Sequence, residues 1–220
     1  MEENMSNHID LVDTGTPEHN YEGHHLLHPG DIYVEAGAFW GRYGRIASKK
    51  VGPTGRVILI ESSPENYRTI EALIARDGLD NITLVKKAVW STSGRGQIVT
   101  YGNPSGHRLA LESDRISYPS NIVNCEYDTL DNILLNDLQI TRIDLLGCDI
   151  EGAETDMVKG ASELLKKGVI RNVALAAYHS HLPDEPLDVP TPGAKEIMEI
   201  LRNYGFKALK YEEGMVFGHV

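Results

Sequence analysis

The chain has two cysteines in 220 residues, Cys125 and Cys148. Their spacing matches no metal or redox motif, so a thiol-based metal or redox site is not expected. Cys148 falls in a predicted buried strand and reads as a small hydrophobe. No apolar run approaches the ~18 residues of a membrane span, and the acidic start does not suit a signal peptide. The expected compartment is the cytoplasm. Basic charge is scarce as well: 21 Lys and Arg stand against 32 Asp and Glu, for a net charge of −11. With no basic stripe, nucleic acid is not an expected partner. Residues 1–30 hold no Lys or Arg, but six acids: Glu2, Glu3, Asp10, Asp13, Glu18 and Glu22. The remainder of the chain therefore carries only −5, which is unremarkable.

What is present suits one large α/β domain. The chain is 41% hydrophobic and 24% charged, ordinary globular values. Residues 1–30 lack clear periodicity and read as an acidic, His-rich N-terminal arm. Five of the nine histidines fall there: His8, His19, His24, His25 and His28. His24 and His28 are spaced like helical metal ligands, but Pro29-Gly30 follows at once and no acidic partner is set by pattern. The domain is expected to span 31–220.

The chain is organised around Asp31–Gly41. Ile32, Tyr33 and Val34 favour a strand, Glu35 ends it, and Gly37 allows a tight turn. A helix follows, with Phe39, Tyr43, Ile46, Ala47 and Val51 on one face. In an open α/β sheet such a turn, at the carboxyl end of a strand, is where ligands bind. Strand and helix then alternate. Val57–Ile60 is a buried strand ending at Glu61. Ser63 and Pro64 open a helix that Gly78 ends. Ile82–Val85 is a third strand. Residues 91–122 carry one extra strand candidate, Gln97–Tyr101. Asp128 or Thr129 opens a helix with Leu130, Ile133 and Leu134 on one face. Ile143–Leu146 and Val173–Tyr178 are the fourth and fifth strands. A helix from Thr191-Pro192 leads to two short strands, Phe206–Tyr211 and Met215–Val220, whose brief connection requires an antiparallel pair. The expected fold is α/β: a doubly wound, mostly parallel seven-stranded sheet with a C-terminal antiparallel hairpin, the Rossmann-like arrangement of class I methyltransferases.

Two carboxylates mark the ligand site. Glu61 stands 24 residues past Gly37, where an acid can accept both hydroxyls of a ribose. The turn lacks the Gly-x-Gly-x-x-Gly cradle of a pyrophosphate and has bulky Phe39 and Trp40 instead. S-adenosylmethionine, which has no phosphate, needs only one open glycine.

These pieces resemble the FkbM-type methyltransferases. The resemblance rests on Val34-Glu-Ala-Gly-Ala-Phe-Trp-Gly41, Gly55–Glu61 with Pro64-Glu-Asn66, Leu79–Leu84 with Ala88-Val89, Thr129-Leu-Asp131, and Asp149-Ile-Glu-Gly-Ala-Glu154. It implies S-adenosylmethionine as cofactor, held by Glu35, Ala36, Gly37, Gly41, Glu61, Ser62, Ala88 and Asp149. It also implies O-methylation of a small-molecule or sugar hydroxyl. The family's usual Asp in the first motif is Glu35 here. Its Lys two residues before Asp149 is Gly147, and its Glu near the end of the fifth strand is Ala177. Those departures keep a non-catalytic S-adenosylmethionine-binding module as the alternative. An NAD-linked oxidoreductase is disfavoured by the missing phosphate glycines and the terminal hairpin.

A hydroxyl acceptor benefits from a base. Asp149 and Glu151 follow the fourth strand, and His179 and His181 the fifth, so all four are candidates for the acceptor side. His179 is the natural general base, because a free imidazole titrates near neutrality. Asp149, Glu151 and one of the two histidines also have the chemistry of a divalent-ion site. Their spacing is not diagnostic, and no metal is assigned. The segments 102–122 and 179–192 are expected to close over the acceptor.

Overall fold

A computed structural model of the chain describes residues 21–100, 108–110, 121–179 and 187–220. Its main sheet has seven strands: β1 (Ile32–Ala36), β2 (Arg56–Ile60), β3 (Ile82–Val85), β8 (Leu145–Cys148), β9 (Asn172–Ala176), β10 (Lys207–Glu212) and β11 (Met215–His219). The spatial order is β10-β11-β9-β8-β1-β2-β3. β8, β1, β2, β3 and β9 run parallel, and β11 lies antiparallel between β9 and β10. This is the expected class I arrangement. The order reverses at β1 and β8, which places a crevice at their carboxyl ends.

The strands are apolar on both sides, so each face of the sheet needs a cover. Helices α1 (Arg42–Val51) and α2 (Pro64–Asp77) cover one face, where Tyr33, Ala47, Leu59 and Ile70 are buried together. Helices α3 (Glu154–Lys159), α4 (Ser162–Lys166) and α5 (Pro192–Asn203) cover the other, over Val34, Ile58, Leu146, Met157 and Ile197. Thr191 caps α5 by accepting the Ala194 N–H at 3.0 Å.

One crossover departs from simple strand–helix alternation. Between β3 and β8 the chain builds a second sheet, ordered β4-β7-β5-β6, from Ala88–Val89, Asn121–Asp128, Gly94–Thr100 and Arg108–Ala110. The strand expected at Gln97–Tyr101 is thus β5, displaced to Gly94–Thr100; Tyr101 lies outside the described residues. β7 was not expected. Both strands are polar with few apolar residues, and they are held by pairing with each other along their whole length, a long-range contact that local pattern does not carry. The helix expected from Asp128 or Thr129 is a π-helical segment, Asp131–Asp137, with Leu130, Ile133 and Leu134 buried beneath it.

Strand boundaries shift as well. The fourth strand runs Leu145–Cys148, not Ile143–Leu146. Ile143 makes only an isolated bridge to Ile170, and the Asp144 carboxylate intervenes, accepting the Ile32 N–H at 2.8 Å. The fifth ends at Ala176 rather than Tyr178, because the Ala177 N–H turns to the carbonyl of Gly214.

The last ten residues of the expected arm are part of the packed body. Tyr21 and Leu27 are buried. The Glu22 carboxylate accepts Tyr43 Oη and the Leu27 N–H, each at 2.8 Å, and pairs with Lys50. Among the described residues no helix is long and apolar enough to cross a membrane.

Candidate active site

Gly37 sets the shape of the crevice. It has φ +83°, and a Cβ there would lie 1.8 Å from the main-chain oxygen of Asp149. The glycine therefore lets the turn after β1 touch the turn after β8, since only a residue without a side chain fits both φ and space. The contact between turns adds to the reason for an open glycine here, and Gly37 also lines the cleft. The two turns and the end of β2 then frame a cleft of about 980 Å³, counting the part open to solvent.

Of the residues expected to hold a cofactor, Glu35, Gly37, Glu61, Ser62, Ala88 and Asp149 line this cleft; Glu151 lines it too. Ala36 and Gly41 do not. Ala36 is fully buried within β1 and lends its carbonyl to the Asp149 N–H at 3.0 Å. Gly41 precedes α1 and packs on Ile70. Sequence reasoning missed Tyr21, Arg42, Tyr43, Asn66 and Lys87, which also line the cleft. Asn66 belongs to the Pro64-Glu-Asn66 motif and Lys87 precedes Ala88-Val89, whereas nothing in the pattern brings Tyr21 here from the arm.

The electrostatics are dominated by buried carboxylates. Glu61 is 6% exposed. Its Oε2 accepts the Phe39 N–H and its Oε1 the Ser63 N–H, both at 2.8 Å. Burial nevertheless pushes its pKa up to about 7 against those hydrogen bonds. Glu35 is 3% exposed and held well above the usual carboxylate range, first by burial, then by the charges of Glu61 and Asp149. The Gly44 N–H reaches this carboxylate, yet among the described residues its buried Oε2 has no hydrogen-bond partner.

The departure at Gly147 has a structural counterpart. A Cβ there would fall 2.6 Å from Tyr33 Oη and 3.1 Å from the Tyr21 ring. Tyrosines thus fill the space that a side chain at 147 would need. Tyr21, Tyr33 and Tyr43 meet ring to ring, with centroids 5.0–6.5 Å apart.

His179 lies beside the cleft, in a second hollow lined by Glu151, Gly152, Glu154, Thr155, Ala177, Thr191, Gly193 and Ile197. Glu151 borders both. His179 Nε2 is 2.9 Å from Asp149 Oδ1 and 3.3 Å from Glu154 Oε1; Nδ1 is 3.6 Å from Glu151 Oε2. Burial opposes the imidazolium, but the bonds to Asp149 and Glu154 outweigh it and raise the pKa to about 10. His179 is thereby protonated at neutral pH. The reason for expecting it as general base, an imidazole titrating near neutrality, does not hold in this setting. His181 lies outside the described residues.

Glu154 was quoted as a motif residue but given no role. It is 4% exposed, and its Oε1 accepts the N–H groups of Ile150 at 3.0 Å and Gly152 at 3.2 Å. It thereby holds a turn in which Glu151 adopts φ +57°, unusual for a side-chain-bearing residue. Tyr178 Oη donates to Asp149 Oδ2 at 3.1 Å. Asp149, Glu154 and His179 together have metal-ligand chemistry. Glu154 replaces Glu151 in the set expected from sequence, and the contacts of His179 Nε2 with the two acids are already closed as hydrogen bonds.

A family model described as the methyltransferase FkbM domain matches residues 28–208. No curated protein matches the chain by sequence. Among solved structures, an FkbM methyltransferase from Methylobacillus flagellatus is 13% identical with a TM-score of 0.59. The alignment covers 99% of this chain, which spans only 59% of that protein. A SAM-dependent methyltransferase from Aquifex aeolicus is 18% identical, with a TM-score of 0.51 over 97% of each chain. Aeropyrum pernix fibrillarin, solved with natively bound S-adenosyl-L-methionine, is 17% identical, with a TM-score of 0.51 over 87% of this chain and 67% of its own. At these identities the solved structures speak for the fold.

Proposed function

The chain belongs to the FkbM methyltransferase family, and we propose that its cleft takes S-adenosylmethionine and methylates a hydroxyl of a small molecule or sugar. The observation that carries the cofactor reading is the orphaned Oε2 of Glu35, buried at the head of the cleft. A buried carboxyl oxygen without a partner among the described residues awaits one, and a bound cation would draw Glu35 back to its carboxylate form. S-adenosylmethionine brings an ammonium and a sulfonium, and the neighbouring Glu61 and Asp149 deepen the negative field that favours cations. Glu61 would take the ribose hydroxyls, while Phe39, Val89 and Leu109 supply apolar wall.

Bound there, the cofactor supplies an activated methyl group. The chain's own part is to place the acceptor and receive its proton. Asp149, held by Tyr178 and His179, is a fixed hydrogen-bond acceptor for a hydroxyl. Glu151 borders both hollows and is the more exposed acid, its side chain 32% accessible against 13% for Asp149. We assign Glu151 to accept the proton that the hydroxyl oxygen loses as it takes the methyl. His179 acts through them, as a charge that keeps both carboxylates in place.

The cofactor reading is tested by thermal unfolding and calorimetry with S-adenosylhomocysteine and with NAD. Stabilisation by the former alone is expected; at 100 times the dissociation constant it amounts to about 2.7 kcal/mol. A shift with NAD alone, or with neither, would overturn it. Glu35→Gln should then weaken binding of the ammonium-bearing ligand.

A further inference from the structure

At the opposite end of β1 from the cleft, the chain gathers His25, His28 and Asp31, with ligand-type atoms all within 4.8 Å of one another. Asp31 Oδ2 lies 3.8 Å from His25 Nε2 and 3.6 Å from His28 Nδ1. Neither distance is a hydrogen bond. His25 Nε2 is nevertheless buried, on a side chain 27% accessible, and has no hydrogen-bond partner among the described residues. A buried ring nitrogen left in that state calls for a water or an ion. Ligand atoms bonded at about 2.0–2.2 Å to one tetrahedral or octahedral ion stand roughly 3–3.6 Å from each other. The two imidazole–carboxylate separations are close to that spacing already.

The turn that carries them is braced from several sides. Asp31 Oδ2 accepts the His28 N–H at 2.8 Å. The Gly30 N–H bonds Val51 O at 2.8 Å, and the Arg56 N–H bonds Asp31 O at 3.0 Å. Arg142 Nη2 donates to Gly30 O at 2.7 Å. The carboxylate and the His28 backbone are therefore placed before any ion arrives. His28 remains 67% accessible and Asp31 only 18%, so an ion would sit at the surface and complete its shell with water.

We propose that His25, His28 and Asp31 bind one divalent transition-metal ion of the imidazole-favouring class, with zinc as its representative. The sequence pattern pointed to His24 with His28. The structure pairs His24 with Glu212 instead, at 2.9 Å, and brings His25 to Asp31. The role is structural. The ion would fasten the segment from Tyr21 to Asp31, which contributes Tyr21 to the cleft and Glu22 to α1, onto the start of the sheet. This inference does not depend on the identity of the cofactor or the acceptor.

The test is zinc titration of the full chain, free of any affinity tag, by calorimetry, with Co²⁺ absorption as a second probe. Wild type should bind one zinc ion, give cobalt bands in the visible range, and unfold at a higher temperature with zinc. His25→Gln and His28→Gln should each lower zinc affinity by at least ~10-fold, and the double variant should lose the site. Circular dichroism checks that these variants fold, and the cobalt spectrum of wild type needs no variant at all. His179→Gln serves to separate this site from the Asp149–Glu154–His179 cluster and should leave the zinc stoichiometry unchanged. The proposal is overturned if wild type takes up neither ion at 100 times the protein concentration. It is equally overturned if the double variant still binds, or if His179→Gln removes the binding.

Discussion

Two buried groups at the site titrate far from their ordinary values, and each has a consequence to measure. Glu61 is raised to about 7, so it protonates as pH falls through neutrality and loses an acceptor that the ribose of the proposed cofactor would use. S-adenosylhomocysteine affinity should therefore drop between pH 8 and pH 5.5, as read by calorimetry; a flat profile would remove Glu61 from the cofactor. Glu61→Ala should cost about 1.5–3 kcal/mol of binding, the range for a hydrogen bond to a charged group. His179 is raised to about 10. Its stabilising contribution is complete below the free imidazole value and fades as pH rises through about 10. Thermal unfolding of wild type should lose more between pH 8.5 and 10.5 than that of His179→Gln. An equal loss in both proteins would mean that the imidazolium holds nothing in place.

Between elements, the contact of β1 with β8 is the tightest constraint on the site. Their register sets Tyr33 opposite Leu145 and Glu35 opposite Gly147. Gly147→Ala should destabilise, since its Cβ meets Tyr33 Oη. That hydroxyl is itself buried without a hydrogen-bond partner among the described residues, so Tyr33→Phe should be neutral or stabilising by up to about 1 kcal/mol. In the Tyr33→Phe background the cost of Gly147→Ala should shrink, because the two changes share one contact. Denaturant unfolding of the four proteins checks this, and strict additivity would refute it. Gly37→Val should reduce stability and cofactor affinity together. Its Cβ would strike the Asp149 carbonyl, so a loss of binding at full stability is not expected.

For the molecule as a whole, charge bears on the choice of acceptor. Three acids, Asp149, Glu151 and Glu154, gather around one protonated imidazole, His179, on the acceptor side, and Lys87 at the cleft is engaged by Asp128 and Asp137. A site of that sign should favour neutral polyols and sugars over carboxylate-bearing acceptors. Release of S-adenosylhomocysteine from matched neutral and acidic sugars measures this, and faster turnover of the acidic member would refute it. Of the two segments expected to close over the acceptor, residues 102–107, 111–120 and 180–186 lie outside the described residues. Within the first, Arg108–Ala110 is a strand of the small sheet whose Leu109 reaches the cleft wall.

The main sheet and the crevice at its carboxyl edge were legible in the chain. Both rest on short-range signals: apolar runs such as Val57–Ile60, a glycine directly after β1, and acids at strand ends. A parallel sheet turns those positions into one crevice wherever its order reverses. Of the second sheet only β5 was legible, through its buried Ile98 and Val99, whereas polar β7 owes its place to pairing with β5. The state of His179 was not legible either. An isolated imidazole titrates near neutrality, and only the fold sets Asp149 and Glu154 within hydrogen-bond reach of it while keeping most water away. The same holds for His25, His28 and Asp31: the chain shows three ligand types in a short turn, but whether their atoms converge is decided by bracing from Val51, Arg56 and Arg142, which only the tertiary structure brings to that turn.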